Sequence, residues 1–156
     1  MKPVIRDGRI VADEWRVLPS EAELPGDSTG LLLPLGLWRA HRDATDPART
    51  GVWLAPGDAP DALLPELQTL PVIAIHFPVF TDGRGYSLAR LLRFRHGYSG
   101  ELRAFGDVLR DQVYFLRACG FNAFCLRDDQ SAEDALAAFG DYAWAPLAGR
   151  GRGGHA

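Results

Sequence analysis

The sequence predicts an α/β fold in which β-α units repeat and build a mainly parallel sheet, preceded by an N-terminal β-hairpin. From Gly51 onward, short apolar runs of strand length alternate with segments of helical periodicity. One run, residues 72–77, is almost wholly apolar, which is typical of a strand covered on both faces. Such alternation favours right-handed β-α-β units, although periodicity leaves open whether the sheet curls like part of a barrel or lies flat.

The first fifty residues contain fewer regular patterns. Val4–Ile5 and Ile10–Val11 flank a turn that includes Asp7 and Gly8, and this arrangement predicts a hairpin. Turn-forming and polar residues then predict a loop. The expectations for this part are a loop at residues 19–30, a buried strand at 31–35 and an ambiguous segment at 38–42.

The remainder predicts strands at residues 52–55, 72–77, 101–105 and 121–126, with helices at 61–70, 87–95, 107–119 and 131–139. In the third helix, Asp107 is the expected N-cap, and Leu109, Val113 and Leu116 form one apolar stripe. Gly120 then suits the position after its C-terminus. Pro65 should interrupt the first helix, and Ser131 begins a capping box in the last.

Length and composition predict one domain. The chain has 156 residues, 47% of them hydrophobic, enough for a sizeable core. We expect the domain to span residues 1–146, with the hairpin and loop in 1–50, regular units in 51–146 and a disordered tail at 147–156. Two cysteines are too few for a disulfide scaffold, and no apolar run approaches the roughly 20 residues of a membrane span. The N-terminus lacks the apolar stretch of a signal peptide, so a cytoplasmic location is expected.

Charge is distributed unevenly. The net charge is −3, yet residues 80–127 contain eight arginines against four acidic residues. A basic centre between acidic ends is compatible with a small anion or an acidic partner, and equally with solvated helix faces. The acidic overall balance and the single lysine disfavour nucleic-acid binding.

The segment 80–87 is the leading candidate for a ligand site, because functional loops of parallel sheets follow the carboxyl ends of the strands. Its two glycines permit close backbone approach, and an arginine supplies a planar cation suited to sulfate, phosphate or carboxylate. The alternative is a tight turn and helix cap, with Arg84 paired to Asp82 or Asp107. Leu88 occupies the third glycine position of a dinucleotide fingerprint, so that motif is absent. The candidate ligand-binding residues are Asp82, Gly83, Arg84, Gly85, Tyr86, Ser87, Asp107 and Arg110.

Candidate catalytic residues are His76, Asp82 and Asp107. His76 lies near a strand's carboxyl end, where it suits either proton transfer or a structural role at the strand edge. No histidine pair has metal-ligand spacing, so no metal site is predicted. Cys119 and Cys125 are five residues apart, which predicts buried apolar side chains rather than a redox or zinc motif. No P-loop or nucleophile elbow is present, and the motifs indicate no cofactor.

Residues 80–87, 100–112 and 119–124 together resemble the domain of unknown function 934 family, bacterial proteins labelled probable oxidoreductases involved in sulfite reduction. The similarity runs from about Gly51 to Trp144, with a weaker match at the hairpin. The resemblance implies sulfite reductase and a small oxyanion as partners and assigns no catalytic residues. Three functions stay open: an auxiliary protein of assimilatory sulfite reduction, an oxidoreductase with an unrecognised flavin or nicotinamide site, and a non-catalytic assembly module. Oligomeric state is not predicted.

Overall fold

A computed structural model describes residues 2–138. Phe139 and the predicted tail at 147–156 therefore lie outside the described residues. The strands are β1 (Pro3–Arg6), β2 (Arg9–Ala12), β3 (Arg16–Val17), β4 (Leu31–Pro34), β5 (Gly51–Leu54), β6 (Val72–Phe77), β7 (Glu101–Gly106) and β8 (Ala123–Phe124). The α-helices of this part are α1 (Leu35–His41), α2 (Gly83–Arg90), α3 (Val113–Ala118) and α4 (Ala132–Ala137). No helix among the described residues has the length and apolar character needed to span a membrane.

The sheet is mixed and curls into a half-barrel, with strand order β2-β1-β8-β7-β6-β5-β4-β3. Neighbouring strands from β3 to β8 are parallel, as the β-α repeat predicts, while β1 is antiparallel to both β2 and β8. The predicted hairpin is therefore present, but it is part of the sheet rather than a preceding unit. Ile5 pairs with Phe124 and both are fully buried, so joining the edge of β8 lets the hairpin bury its apolar side. The expectation of a mainly parallel sheet is corrected to a mixed one.

Several helix boundaries differ from those expected. The helix predicted at 87–95 begins earlier, at Gly83, and continues after Arg90 as a π-helical turn over Leu91–Arg95. The segment at 61–70 is a 3₁₀ helix, Pro60–Thr69, broken at Glu66 immediately after Pro65. The ambiguous segment at 38–42 is mostly in α1.

The helix predicted at 107–119 is shorter than expected. It starts with a 3₁₀ turn, Arg110–Gln112, and becomes α3 at Val113. Asp107 is not its N-cap, because its carboxylate accepts hydrogen bonds from the Phe80 backbone and the Arg127 side chain instead. Leu116 is buried as predicted, while Leu109 is only half-buried at the start of the turn.

The two faces of the sheet are packed differently. One face is covered by the helices and forms the main core, which includes Ile73, Ile75 and Phe77 of β6. The other, here called the helix-free face, carries a smaller buried cluster of strand residues: Leu32, Trp53, Val72 and Ala74. Trp15 and Phe105 pack against that cluster. Because strand side chains alternate between faces, His76 belongs with Val72 and Ala74 on the helix-free face.

Gly85 lets α2 approach the sheet closely. A Cβ atom at this position would lie 2.5 Å from Cε2 of Phe77, which is itself buried. Phe77 is confined by Tyr86 and Phe121, whose ring centroids lie 5.2 and 5.9 Å away. Close packing against Phe77 therefore explains why a residue without a side chain occupies position 85.

Replacing Gly85 by alanine should lower the free energy of unfolding by about 1–3 kcal/mol, because an added methyl group overpacks a confined site. Gly83→Ala is the matched control, since no atom lies within 4 Å of its Cβ position. Urea denaturation followed by circular dichroism measures both. Equal stability of the two variants would contradict the packing role of Gly85.

Candidate functional site

The turn after β6 is stabilised by its own charges. Asp82 is the N-cap of α2, and its Oδ1 accepts hydrogen bonds from the Arg84 backbone N–H (3.1 Å) and Nε (3.0 Å). Arg84 Nη2 donates to Oδ2 of the same carboxylate at 2.9 Å. These side-chain hydrogen bonds hold the pKa of Asp82 below its usual value. Two of the three guanidinium nitrogens are thus occupied, as in the helix-cap interpretation, so an anion at Arg84 would have to bind through Nη1 or displace Asp82.

The other predicted residues of this segment support the turn. Tyr86 donates its hydroxyl hydrogen to the Phe80 carbonyl at 3.1 Å, and Gln112 Nε2 donates to both that carbonyl and the Tyr86 oxygen. Ser87 Oγ donates to the Gly83 carbonyl at 3.4 Å. The turn after β6 is in this way joined to the helical segment after β7.

Asp107 connects three loops at the carboxyl edge of the sheet. Its Oδ2 accepts from the Phe80 N–H at 2.8 Å, and its Oδ1 accepts from Arg127 Nη1 at 2.7 Å. Arg127 also donates to both oxygens of Asp129. Gly106 delivers Asp107 to this position with a φ of +103°, which a residue with a side chain rarely adopts.

Arg110 lies apart from the Asp82–Arg84 pair in its contacts. Its Nη1 donates to Asp134 at 3.3 Å, and its backbone N–H donates to Gln130 Oε1 at 3.0 Å. Arg110 therefore links the segment after β7 to the start of α4.

His76 has aromatic neighbours. Its ring stacks on Phe105 with centroids 4.9 Å apart and an interplanar angle of 29°, and it meets Trp53 edge-on at 5.8 Å. Burial lowers the pKa of His76, so the ring is neutral at physiological pH. The structure places His76 on the helix-free face, among ring contacts that involve none of the predicted anion-binding residues.

A different charged group, which the sequence analysis did not select, lies on the helix-free face. Arg103, in the middle of β7, is only 2% exposed. Its Nε donates to Glu101 Oε2 at 2.7 Å, and its Nη1 donates to Asp13 Oδ1 at 2.8 Å and lies 3.6 Å from Cys125 Sγ. Nη2 is buried and has no hydrogen-bond partner among the described residues. A buried guanidinium with one unused nitrogen is unusual, since most buried polar atoms have a partner.

A cavity of about 350 Å³ lies beside Arg103. Its inner wall contains Asp13, Trp15, Leu32, Phe105 and Cys125, and its rim includes Lys2, Arg127 and Asp128. Gly106 also lines it, so the cavity reaches the carboxyl edge of the parallel strands, where α/β folds generally place their ligands.

The charges around the cavity are arranged for a permanently protonated arginine. Burial by itself lowers the pKa of Arg103, but the Cys125 thiolate that forms at high pH and the carboxylates of Glu101 and Asp13 outweigh it, and the net shift is upward. Burial also raises the pKa of Cys125 to about 11, despite the opposing influence of Arg103. Cys119 is buried as predicted, whereas Cys125 is half-buried and lines the cavity with a neutral thiol.

One sequence signal could have found this group. Glu101, Arg103 and Phe105 alternate with Leu102 and Ala104, so both charges lie on one face of a strand whose other face is apolar. Asp13, ninety positions from Arg103, has no local signal that associates it with β7.

We expect alkylation of Cys125 by iodoacetamide to keep accelerating with pH, because the thiolate is the reactive form. The rate should rise about tenfold per unit up to about pH 10, whereas an ordinary thiol levels off near its pKa of roughly 8.5. Mass spectrometry of the modified peptide measures the rate, and Cys125→Ser identifies any contribution from Cys119. A plateau near pH 8.5 would contradict the raised pKa.

Comparison with known proteins identifies a family. The family model described as a bacterial protein of unknown function, DUF934, matches residues 51–145. Neither the curated proteins nor the solved structures contain a match to this chain. The matched residues include Arg103, Cys125 and the whole Asp82–Ser87 turn, while Asp13 and Trp15 precede them.

Proposed function

The chain belongs to the bacterial DUF934 family, and we propose that it is an auxiliary protein of sulfite reduction that binds a small oxyanion beside Arg103. The single observation that supports this site is the buried Arg103 Nη2, which faces no hydrogen-bond partner among the described residues. The choice of sulfite as the first oxyanion to test comes from the family resemblance.

An oxyanion suits the chemistry of Arg103. Leaving a buried donor unsatisfied costs about 1–3 kcal/mol, and more where the donor is charged. Nη2 is enclosed by protein atoms, so a small movement of the side chain would have to open it to the cavity. An oxygen of a bound anion would then accept from it and form a charge-assisted hydrogen bond, which is stronger than a neutral one. Glu101 and Asp13 already hold the other two nitrogens, so the guanidinium is oriented before the ligand arrives.

The balance of charges around the cavity favours binding of an additional negative charge. Arg103 and Arg6 balance Glu101 and Asp13, with Arg6 lying 3.7 Å from Glu101. Additional positive charge comes from two rim residues, Lys2 and Arg127.

Both rim cations are paired in the structure. Lys2 contacts Asp128, and both side chains are well exposed, whereas Arg127 contacts the exposed Asp129 and the largely buried Asp107. Solvent weakens the exposed Lys2–Asp128 pair, so Lys2 can turn toward a bound anion at little cost. Arg127, in contrast, stays held by Asp107 and contributes only its charge.

A second candidate is an oxidoreductase that holds the ring of a flavin or nicotinamide in the same cavity. Its planar walls, Trp15 and Phe105, favour this alternative. Visible absorbance of the purified protein and fluorescence titration with NADPH test it, and a colourless protein that leaves NADPH unbound contradicts it.

Isothermal titration calorimetry with sulfite should show binding to the unmodified chain. Arg103→Lys retains the positive charge but lacks Nη2, and loss of one charge-assisted hydrogen bond should weaken binding by roughly 10- to 100-fold. Arg84→Ala should leave the affinity unchanged, because Arg84 is paired with Asp82 in the turn after β6.

Two controls make the titration decisive. Circular dichroism checks that each variant folds, and Val17→Trp, which enlarges an exposed side chain of the cavity lining, should weaken sulfite binding by occupying the cavity. A loss of binding in Arg84→Ala alone would move the site to the turn after β6. Absence of sulfite binding to the unmodified chain would overturn the oxyanion proposal, and gel filtration with sulfite reductase separately tests the auxiliary role.

A further inference from the structure

We propose that the ligand of this cavity carries its anionic group on a planar aromatic ring, as an aryl sulfonate or an aryl carboxylate does. This inference rests on the proposed function, because it uses the same anion position beside Arg103. It extends that function from an inorganic oxyanion to a class of organic anions.

The size of the cavity is the first argument. At roughly 30 Å³ per water molecule, an oxyanion of four heavy atoms replaces about two or three waters. The cavity measures about 350 Å³ and would hold several times that amount. Its volume falls within the range of about 300–1,000 Å³ that is usual for organic ligands. An inorganic anion on Arg103 would therefore leave most of the cavity filled with water.

The composition of the walls is the second argument. Trp15, Leu32 and Phe105 line the space next to Arg103. A free oxyanion gains nothing from aromatic and aliphatic walls, whereas a planar ring buries apolar area and stacks against them. The wall residues thus match a ligand with one charged end and one flat apolar body.

The two aromatic walls are held in place. The backbone N–H of Trp15 donates to Asp13 Oδ1 at 2.9 Å, and the same oxygen accepts from Arg103 Nη1, so one carboxylate fixes both the backbone that carries the Trp15 ring and the cation. Phe105 is held by His76, stacked at 4.9 Å, and by Trp53, edge-on at 5.8 Å. Rigid walls reduce the entropic cost of binding a rigid ring.

The positions along β7 set the orientation of such a ligand. Arg103 and Phe105 are two residues apart on the same face, a separation of about 6.6 Å along a strand. That span suits an acid group attached directly to a six-membered ring. The buried Arg103 would take the anionic end, and the ring would extend along the wall that Phe105 forms.

The experiment compares matched anions by calorimetry on the unmodified chain. Benzenesulfonate should bind at least ten times more tightly than methanesulfonate, and benzoate more tightly than acetate. The ratio between benzenesulfonate and benzoate identifies which acid group the site prefers. Trp15→Ala should remove most of the advantage of the aromatic anions while leaving methanesulfonate unaffected. Trp15→Phe should retain the advantage, and Arg103→Lys should weaken all four anions.

The outcomes separate this inference from the proposed function. If sulfite, methanesulfonate and benzenesulfonate bind equally well, the aromatic class is wrong and the oxyanion site stands. If benzenesulfonate binds through Arg103 and sulfite does not, the aromatic class stands and sulfite is excluded. If an aromatic anion binds equally well to Trp15→Ala, or if no anion binds, the inference is overturned.

Discussion

The burial of one positive charge within the sheet organises much of this molecule. Transfer of a guanidinium out of water is costly unless carboxylates and hydrogen bonds replace its hydration. Arg103 obtains them from Glu101, two residues away on β7, and from Asp13, which follows the N-terminal hairpin. The ion pair with Asp13 connects chain segments ninety positions apart and holds the hairpin end over the helix-free face. The same carboxylate also accepts from the Trp15 backbone N–H, so it fixes the chain at the point where Trp15 joins the cavity wall.

Several arginines of the basic segment 80–127 are already bonded to carboxylates or carbonyls within the fold. Arg84 is paired with Asp82, Arg127 with Asp107 and Asp129. Arg93 is mostly buried and donates to backbone carbonyls after the π-helical turn and after α3, which fastens the ends of these segments together. Regional charge alone therefore does not locate an anion site, because an arginine nitrogen already bonded to a carboxylate or carbonyl offers little to a ligand. The distinguishing feature is a buried nitrogen without a partner among the described residues, and Arg103 has one.

Features determined by neighbouring residues could be predicted from the sequence. The Asp7-Gly8 turn has φ values of +51° and +80°, Gly120 has a φ of +116°, and the Ser131 hydroxyl accepts from the Asp134 N–H, as their local patterns indicate. Features determined by distant residues could not. By sequence, Asp107 is well placed to cap the helical segment after β7. In the fold, its carboxylate instead accepts hydrogen bonds from the Phe80 backbone and the Arg127 side chain, which are distant in sequence. The candidate site divides in the same way: the turn after β6 is visible in its own residues, whereas the Arg103 group exists only after β7 meets the segment that follows the hairpin.

The half-barrel explains why a cavity forms on this face. In a closed barrel of parallel strands, side chains from all strands fill the interior in layers, so the interior is a packed core. Here the sheet stops after β3 on one side and β2 on the other, so the described strands cannot fill the space over β7 completely. Leu102 and Ala104 still pack under the helices, while Arg103 and Phe105 face the incompletely filled side. On this face the described residues leave one nitrogen of Arg103 without an acceptor and part of the Phe105 ring uncovered. The remaining donor and the exposed part of the ring together define what a ligand must supply, namely an acceptor joined to an apolar plane.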